Sequence, residues 1–269
     1  MYILILGLIL FIIYGIIEYN AHQYYRKKIP LIIHINGTRG KSSVTRLIAA
    51  GLRAGGKKVI AKTTGSAPRI IFSDGRESPV VRFFGANIKE QLKIIKFAAK
   101  RKADILVLEC MAVTPEYQWV TEHQMVKADI GVMTNTRLDH LDVMGPGIRN
   151  CVLSLCNTLP KNKVSYTSEI NMFPLMKKEA KRVKSELSYI PYDDITDEVV
   201  SGFNHLEHKE NIALSLKVCE QCGVEKDKAL KEMYNAIPDI GATEIFHYKT
   251  PNKGIEILYL YDPMDEFVM

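Results

Sequence analysis

An apolar run, Leu31-Ile32-Ile33, leads into His34-Ile35-Asn36-Gly37-Thr38-Arg39-Gly40-Lys41-Ser42-Ser43, and an amphipathic pattern from Val44 to Ala54 leads out. Strand, glycine-containing loop, Gly-Lys-Ser and helix in that order commit the chain to an α/β crossover and mark a phosphate-binding loop. Gly37 and Gly40 let the backbone turn tightly and bring its N–H groups up to an anion. The helix that follows adds unpaired N–H groups and the positive end of its dipole. Lys41 supplies a full charge for β/γ-phosphates, and Ser42 offers a hydroxyl to Mg²⁺. Asn36, Thr38, Arg39 and Ser43 complete the candidate nucleotide set. The commonest form of this loop would place glycine at position 35, where this chain has Ile35. The bland alternative is a tight strand–helix turn with an exposed lysine; the agreement of strand, triplet and helix weighs against it.

The flanking sequence extends the pattern. Val59–Lys62, Asp104–Glu109, Asp129–Thr134, Val164–Thr167 and Leu187–Tyr192 read as short buried strands. Asn87–Arg101, Pro115–Lys127, Gly147–Thr158, Pro174–Ser185, His205–Cys222 and Lys226–Ala236 read as helices. Ser73–Pro79 reads as an irregular excursion, and Thr243–Tyr248 with Gly254–Leu260 as two strands joined by a hairpin-like turn. The fold class expected is α/β, with a mainly parallel sheet flanked by helices.

Two polar segments lie at the ends of buried strands. Asp104-Ile105-Leu106-Val107-Leu108-Glu109 is a continuous apolar run closed by a carboxylate, placed where parallel sheets bind ligands. Glu109 as a Mg²⁺ holder and Glu109 as a solvated strand end are evenly matched on this pattern. Asp139-His140-Leu141-Asp142, after the strand ending at Thr134, suits metal or proton handling, and equally a capping turn before a helix.

Met1 to Ile17 is almost wholly apolar, about the short end of what spans a bilayer as a helix. A cleaved signal would carry a basic start and a small-residue cleavage site, which this stretch lacks. A core helix would show a polar face. A membrane anchor over residues 1–20 fits best, with Tyr14, Tyr19, Tyr24 and Tyr25 at the interface. Arg26, Lys27 and Lys28 then place the remainder in the cytoplasm by the positive-inside rule. The 269 residues leave ample room for a core. The net charge of +6 is dispersed, so a nucleic-acid partner is not expected. Five cysteines, an odd number in a large chain, argue against a disulfide framework and for a reducing compartment. Cys219-Glu220-Gln221-Cys222 lacks a second ligand pair and reads as core rather than as a zinc or redox site.

Together these motifs resemble the Mur ligase superfamily, which includes muramyl amino-acid ligases and folylpolyglutamate synthases. Gly37–Ser43 is similar to its nucleotide loop, Glu109 to its magnesium glutamate and Asn135 with Asp139–Asp142 to its Asn…Asp-His-Leu-Asp segment. Asn211, in Glu210-Asn211-Ile212-Ala213-Leu214, resembles the asparagine near the adenine. Within the superfamily the capsule-type ligases of poly-γ-glutamate synthesis match best. The apolar N-terminus, Asn36–Ser42 with its arginine, Lys62-Thr63-Thr64-Gly65, Glu109-Cys110-Met111-Ala112-Val113 and Asp139–Pro146 carry this likeness. It implies an anchor (1–20), an ATP-binding domain (30–236) and the start of a truncated C-terminal region (237–269). Pro238–Glu244 stands where those ligases carry Pro-Gly-Ala-Met-Arg, so Glu244 reverses a charge there, and His208 is offset from the superfamily pattern.

The activity implied is ATP-dependent amide ligation that extends poly-γ-glutamate at the cytoplasmic face of the membrane, through an acyl phosphate. ATP and Mg²⁺ are the implied cofactors. Glutamate, the growing chain and other membrane subunits of a synthase complex are the implied partners. Lys41 would hold the phosphoryl group, Ser42 and Glu109 a first Mg²⁺, and His140 a second; Arg39 and Thr63-Thr64 would face the acidic acceptor. A non-catalytic nucleotide-binding subunit is the alternative, and a folate-type ligase a weaker third. Lys177, Lys178 and Lys181 do not stand out from a solvated helix face as candidates for a carbamylated lysine.

Overall fold

The computed structural model describes residues 2–65, 67–82 and 85–239, and the backbone of 244–249 and 256–261. A long helix α1 (Tyr2–Lys27) precedes β1 (Leu31–Asn36), α2 (Lys41–Ala54), β2 (Val59–Lys62), β3 (Arg69–Ile71), β4 (Glu77–Pro79), α3 (Glu90–Lys100) and β5 (Ile105–Glu109). There follow α4 (Pro115–Val120), β6 (Ile130–Met133), α5 (Leu141–Met144), α6 (Ile148–Leu155), β7 (Val164–Thr167), α7 (Phe173–Val183) and β8 (Glu186–Tyr189). Last come α8 (Asp197–Ser201), α9 (Lys209–Gln221), α10 (Lys226–Met233), β9 (Glu244–Lys249) and β10 (Glu256–Tyr261).

Eight strands form one sheet in the order β4-β3-β2-β5-β1-β6-β7-β8. From β2 through β8 the neighbours are parallel, and β3 and β4 add an antiparallel edge. The expected α/β class with a mainly parallel sheet holds. The stretch read as irregular is corrected in part, because β4 and its turn occupy 73–79; three-residue strands are too short to show a period of two. β9 and β10 pair antiparallel, while the turn expected at 250–254 and the Pro238–Glu244 comparison fall largely outside the described residues.

The central strands are apolar because helices cover both of their faces. Ile33 and Ile35 of β1 pack with Leu47, Ile48 and Leu52 of α2 and with Ile212 and Leu216 of α9. Ile32, pointing the other way, joins Leu106, Leu108 and Ile95 of α3. Each such buried aliphatic side chain contributes about 1.5–3 kcal/mol. This packing fixes α2, and with it the loop ahead of it, against β1.

The helix expected over 115–127 is α4 followed by a π-helical turn, Thr121–Val126. The turn closes on Lys127, whose N–H donates to the Glu122 carbonyl at 2.7 Å with φ of 50°. Glu122 is thereby turned inward. One carboxylate oxygen takes the Ala128 N–H at 2.9 Å, and the other lies 2.8 Å from His34 Nδ1 in the middle of the sheet. Burial opposes protonation of His34, but the Cys110 thiol and the Glu122 carboxylate outweigh it and push its pKa up to about 10.

Helix α1 is exposed from Tyr2 through Ala21 and is long and apolar enough to cross a membrane. Its last turns dock. Arg26 donates to the carbonyls of Val126 (2.7 Å) and Lys127 (2.6 Å) and pairs with Asp129 at 2.9 Å. His22 Nε2 lies 2.7 Å from the Met125 carbonyl. Tyr25, expected at the lipid interface, is instead half-buried against the α3 cluster, and Lys96 stands over its ring.

Candidate active site

The phosphate loop, Gly37–Gly40, joins β1 to α2 at the C-terminal edge of the sheet. Gly37 has φ of 135°, and any side chain there would collide with the Thr134 hydroxyl. Gly40 caps α2 with φ of 79°, and an added Cβ would sit 2.7 Å from Asn211 Oδ1. Asn211 is therefore buried directly against the loop, its amide donating to Glu207 at 2.8 Å.

The end of β6 clamps the loop from the other side. The Thr134 hydroxyl donates to the Arg39 carbonyl at 2.6 Å, and the Asn135 amide does so at 3.1 Å. In return Asn135 accepts the Arg39 N–H through its side chain (3.1 Å) and the Thr38 N–H through its carbonyl (3.0 Å). The Thr38 hydroxyl takes the Arg137 N–H at 3.0 Å. Lys41 folds back over the loop, its ammonium donating to the carbonyls of Gly37 (2.8 Å) and Thr38 (3.1 Å).

Glu109, at the end of β5, faces the start of α2 and is 2% exposed, so it is not a solvated strand end. Its carboxylate accepts from the Ser42 hydroxyl (2.9 Å), the Thr64 N–H (2.8 Å) and the Thr64 hydroxyl (2.6 Å). Gln91 of α3 pins the Glu109 carbonyl at 3.0 Å. A hydroxyl and a carboxylate side by side beside a lysine form a hard oxygen donor pair, and Ser42 and Glu109 are the residues that would hold Mg²⁺ here. Thr64 thus holds the carboxylate itself rather than only standing near an acceptor.

The other expected residues take distinct places. His140 lines the same cleft as Lys41, Thr64 and Glu109, with φ of 47° and its side chain about half exposed. Its partner in the sequence pattern, Asp139, accepts the His140 N–H at 3.0 Å, as in a turn. Among the described residues no preformed group of three or more metal-binding side chains occurs; Ser42 and Glu109 touch, and His140 stands across from them. Arg39 projects outward, 76% exposed, and its guanidinium comes within 3.9 Å of Asp139. The Asn36 amide points into the protein, donating to Gln118 (2.8 Å) and Thr158 (3.0 Å), so it braces the loop from behind. Ser43 and Asn211 line a second cleft that adjoins the first at Lys41 and Glu109, with Asn135, Arg137, His208 and Asp239.

Sequence analysis names Lys62 within the Lys62–Gly65 likeness but gives no role to the charged group it forms beside the first cleft. Lys62 at the end of β2 is buried and pairs with Glu90 at 3.1 Å, and Arg82 grips the same carboxylate at 2.7 and 3.1 Å. Burial lowers the Lys62 pKa against the opposing pull of Glu90. A lysine closing an apolar strand was the available signal.

The model of the Mur ligase middle domain matches residues 35–216, from β1 into α9. The chain belongs to the Mur ligase family. The capsule biosynthesis protein CapB of Bacillus anthracis is 36% identical over 255 residues, covering 93% of this chain and 55% of that protein. The PGA synthase CapB of Bacillus subtilis (strain 168) is 34% identical over 255 residues, covering 94% and 65%. The chain therefore spans between half and two thirds of the length of these curated relatives. Among solved structures, E. coli FolC in complex with DHPP and ADP superimposes with a TM-score of 0.69 at 18% identity, covering 91% of this chain and 64% of that one. A folylpolyglutamate synthase/dihydrofolate synthase from Yersinia pestis, complexed with AMPPNP and Mn, does so with a TM-score of 0.63 at 17% identity, covering 83% and 61%. At such identities these structures share the Mur ligase fold with this chain.

Proposed function

We propose that this chain is the ATP-binding part of a carbon–nitrogen ligase that extends poly-γ-glutamate at the cytoplasmic face of a membrane. The observation that carries the reading is the meeting of Lys41 and Ser42, at the start of α2, with Glu109, at the end of β5, where two clefts adjoin. The cleft with Ser43 and Asn211 suits the nucleoside end of ATP. The cleft with Glu109, Thr64 and His140 suits the γ-phosphate and the acceptor carboxylate. That carboxylate attacks the γ-phosphorus, ADP leaves, and the amine of an incoming glutamate displaces phosphate from the acyl phosphate.

Mg²⁺ held at Ser42 and Glu109, with His140 available to a second ion, supplies charge neutralisation for phosphoryl transfer. Lys41 leaves its two loop carbonyls to take the β/γ oxygens, and the loop N–H groups add stabilisation where charge develops. Thr64 keeps the Glu109 carboxylate aimed through its N–H and its hydroxyl. Helix α1 anchors the domain, with residues 30–236 as the ATP-binding unit. The expected partners are glutamate, the growing polymer and other membrane subunits of the synthase. The relatives named for capsule and PGA synthesis support this choice over a folate acceptor.

The test is Mg²⁺-dependent ATP binding and glutamate-dependent phosphate release by the purified protein, each with wild type and Lys41→Ala. Binding and turnover that are both lost in the variant support the ligase. Binding without turnover assigns the chain to a nucleotide-binding subunit that needs a partner. Absence of binding overturns the loop assignment.

A further inference from the structure

Six parallel strands enter the sheet from one side, and the helix ends and loops that feed them share a single charge. Segments 26–30, 56–58, 100–104, 127–129, 160–163 and 181–186 precede β1, β2, β5, β6, β7 and β8. They carry fourteen Lys and Arg against three Asp and Glu, a net of +11 in a chain whose total is +6. The segments that leave the same strands, 37–40, 63–65, 110–114, 134–140, 168–172 and 190–196, carry two basic against four acidic residues. The sheet is thus polarised along its strands, a property that no single stretch of sequence displays.

Nearly all of the basic side chains on this edge are exposed, Lys57, Lys58, Lys102, Lys161 and Lys184 among them. Two of the three carboxylates are already engaged: Asp104 accepts the Lys58 N–H at 2.8 Å, and Asp129 holds Arg26 and Lys163. Trp119, 45% exposed, opens into a cleft on this flank with Lys127, Lys161, Lys163 and Arg182. Helix α1 joins the domain at the same edge, held by the carbonyls of Met125, Val126 and Lys127 just ahead of β6. The phosphate loop lies at the opposite edge, a strand length away.

We propose that this basic edge is a docking face for anionic phospholipid, seated on the leaflet that α1 enters, so that the phosphate loop looks away from the bilayer. Each Lys or Arg near an anionic leaflet strengthens attachment, and the attraction fades beyond about 8 Å at physiological salt. A soluble polyanion would find the same charge. The shared edge with α1 favours lipid, and the position of the clefts argues that an acidic polymer is handled on the other side.

The proposal rests on the membrane reading of α1 but needs no nucleotide, so failure of the ligase assignment leaves it standing. The full chain is reconstituted into phosphatidylcholine vesicles with and without phosphatidylglycerol, each carrying a dansyl-labelled headgroup. Trp119 is the sole tryptophan and serves as energy donor. Transfer is expected to be about twofold stronger with phosphatidylglycerol and to fall back in high salt. A Lys161→Glu/Lys181→Glu/Arg182→Glu variant loses the dependence on lipid charge. Lys177→Glu/Lys178→Glu, on the same helix but away from its C-terminal end, keeps it; circular dichroism confirms the fold of both. Equal transfer in the two vesicles, or a triple variant that behaves as wild type, overturns the proposal. Charge-dependent binding relieved only by soluble polyglutamate, with no change in transfer between the vesicles, reassigns the face to a polyanion and overturns it as well.

Discussion

Gly40→Ala tests the contact that ties the phosphate loop to α9. An L-residue in the left-handed conformation of Gly40 costs about 1–2 kcal/mol. The added methyl would also meet Asn211 Oδ1 at 2.7 Å, so Asn211 must move and release Glu207. A buried hydrogen bond lost in this way costs about 1 kcal/mol net. The sum is a destabilisation of about 2–3 kcal/mol. Gly65 is the internal control: its φ of 72° is also left-handed, but among the described residues nothing lies within 4 Å of a Cβ there. Gly65→Ala should therefore cost only the backbone part, about 1–2 kcal/mol. Urea unfolding of the detergent-solubilised chain reads both values. In an Asn211→Ala background the excess cost of Gly40→Ala should vanish, giving a coupling energy of about 1 kcal/mol. Strictly additive effects would refute the argument that the Gly40 position is shaped by Asn211.

Further outcomes follow from other contacts. Thr64→Val leaves the buried Glu109 carboxylate without its 2.6 Å hydroxyl donor, and should lose about 1–3 kcal/mol of stability and weaken Mg²⁺-dependent ATP binding; Thr64→Ser should restore both in calorimetry. His34 has a folded pKa of about 10, above its ordinary 6.5, so it binds more protons folded than unfolded between those values. Its contribution is full below pH 6.5 and lost as pH rises through about 10. Glu122→Gln should lower stability by about 3–5 kcal/mol and flatten that alkaline loss in denaturation series across the window. Arg26→Ala removes the grip on Val126, Lys127 and Asp129, and faster tryptic cleavage at Lys27–Lys28 should report it.

The sheet was legible because its central strands are buried on both faces and so read as unbroken apolar runs. The loop was legible because glycine, lysine and serine at fixed spacing have few other uses. What sequence hid depended on pairing and register. The π turn after α4 changes which carbonyl an N–H finds, not which side chains are apolar, so 115–127 reads as one helix. The segment 205–222 reads as helix throughout, yet α9 begins at Lys209, and the short α8 ahead of it has too few residues for a period. Asn36 reads as part of the nucleotide set because of its neighbours, whereas strand alternation turns its amide inward to Gln118. The Lys62–Glu90–Arg82 group joins β2 to segments 20 and more residues away, which no local pattern shows.

The fold of Lys41 onto the Gly37 and Thr38 carbonyls sets the loop's own oxygens in competition with any phosphate for its ammonium. The ammonium already has two acceptors, so a nucleotide gains only the difference between phosphate oxygens and those carbonyls. The two released carbonyls must then find water or be left bare. On the proposed function, affinity for ATP is thus the outcome of an exchange, and a shorter cation at position 41 would forfeit the reach on both sides of it.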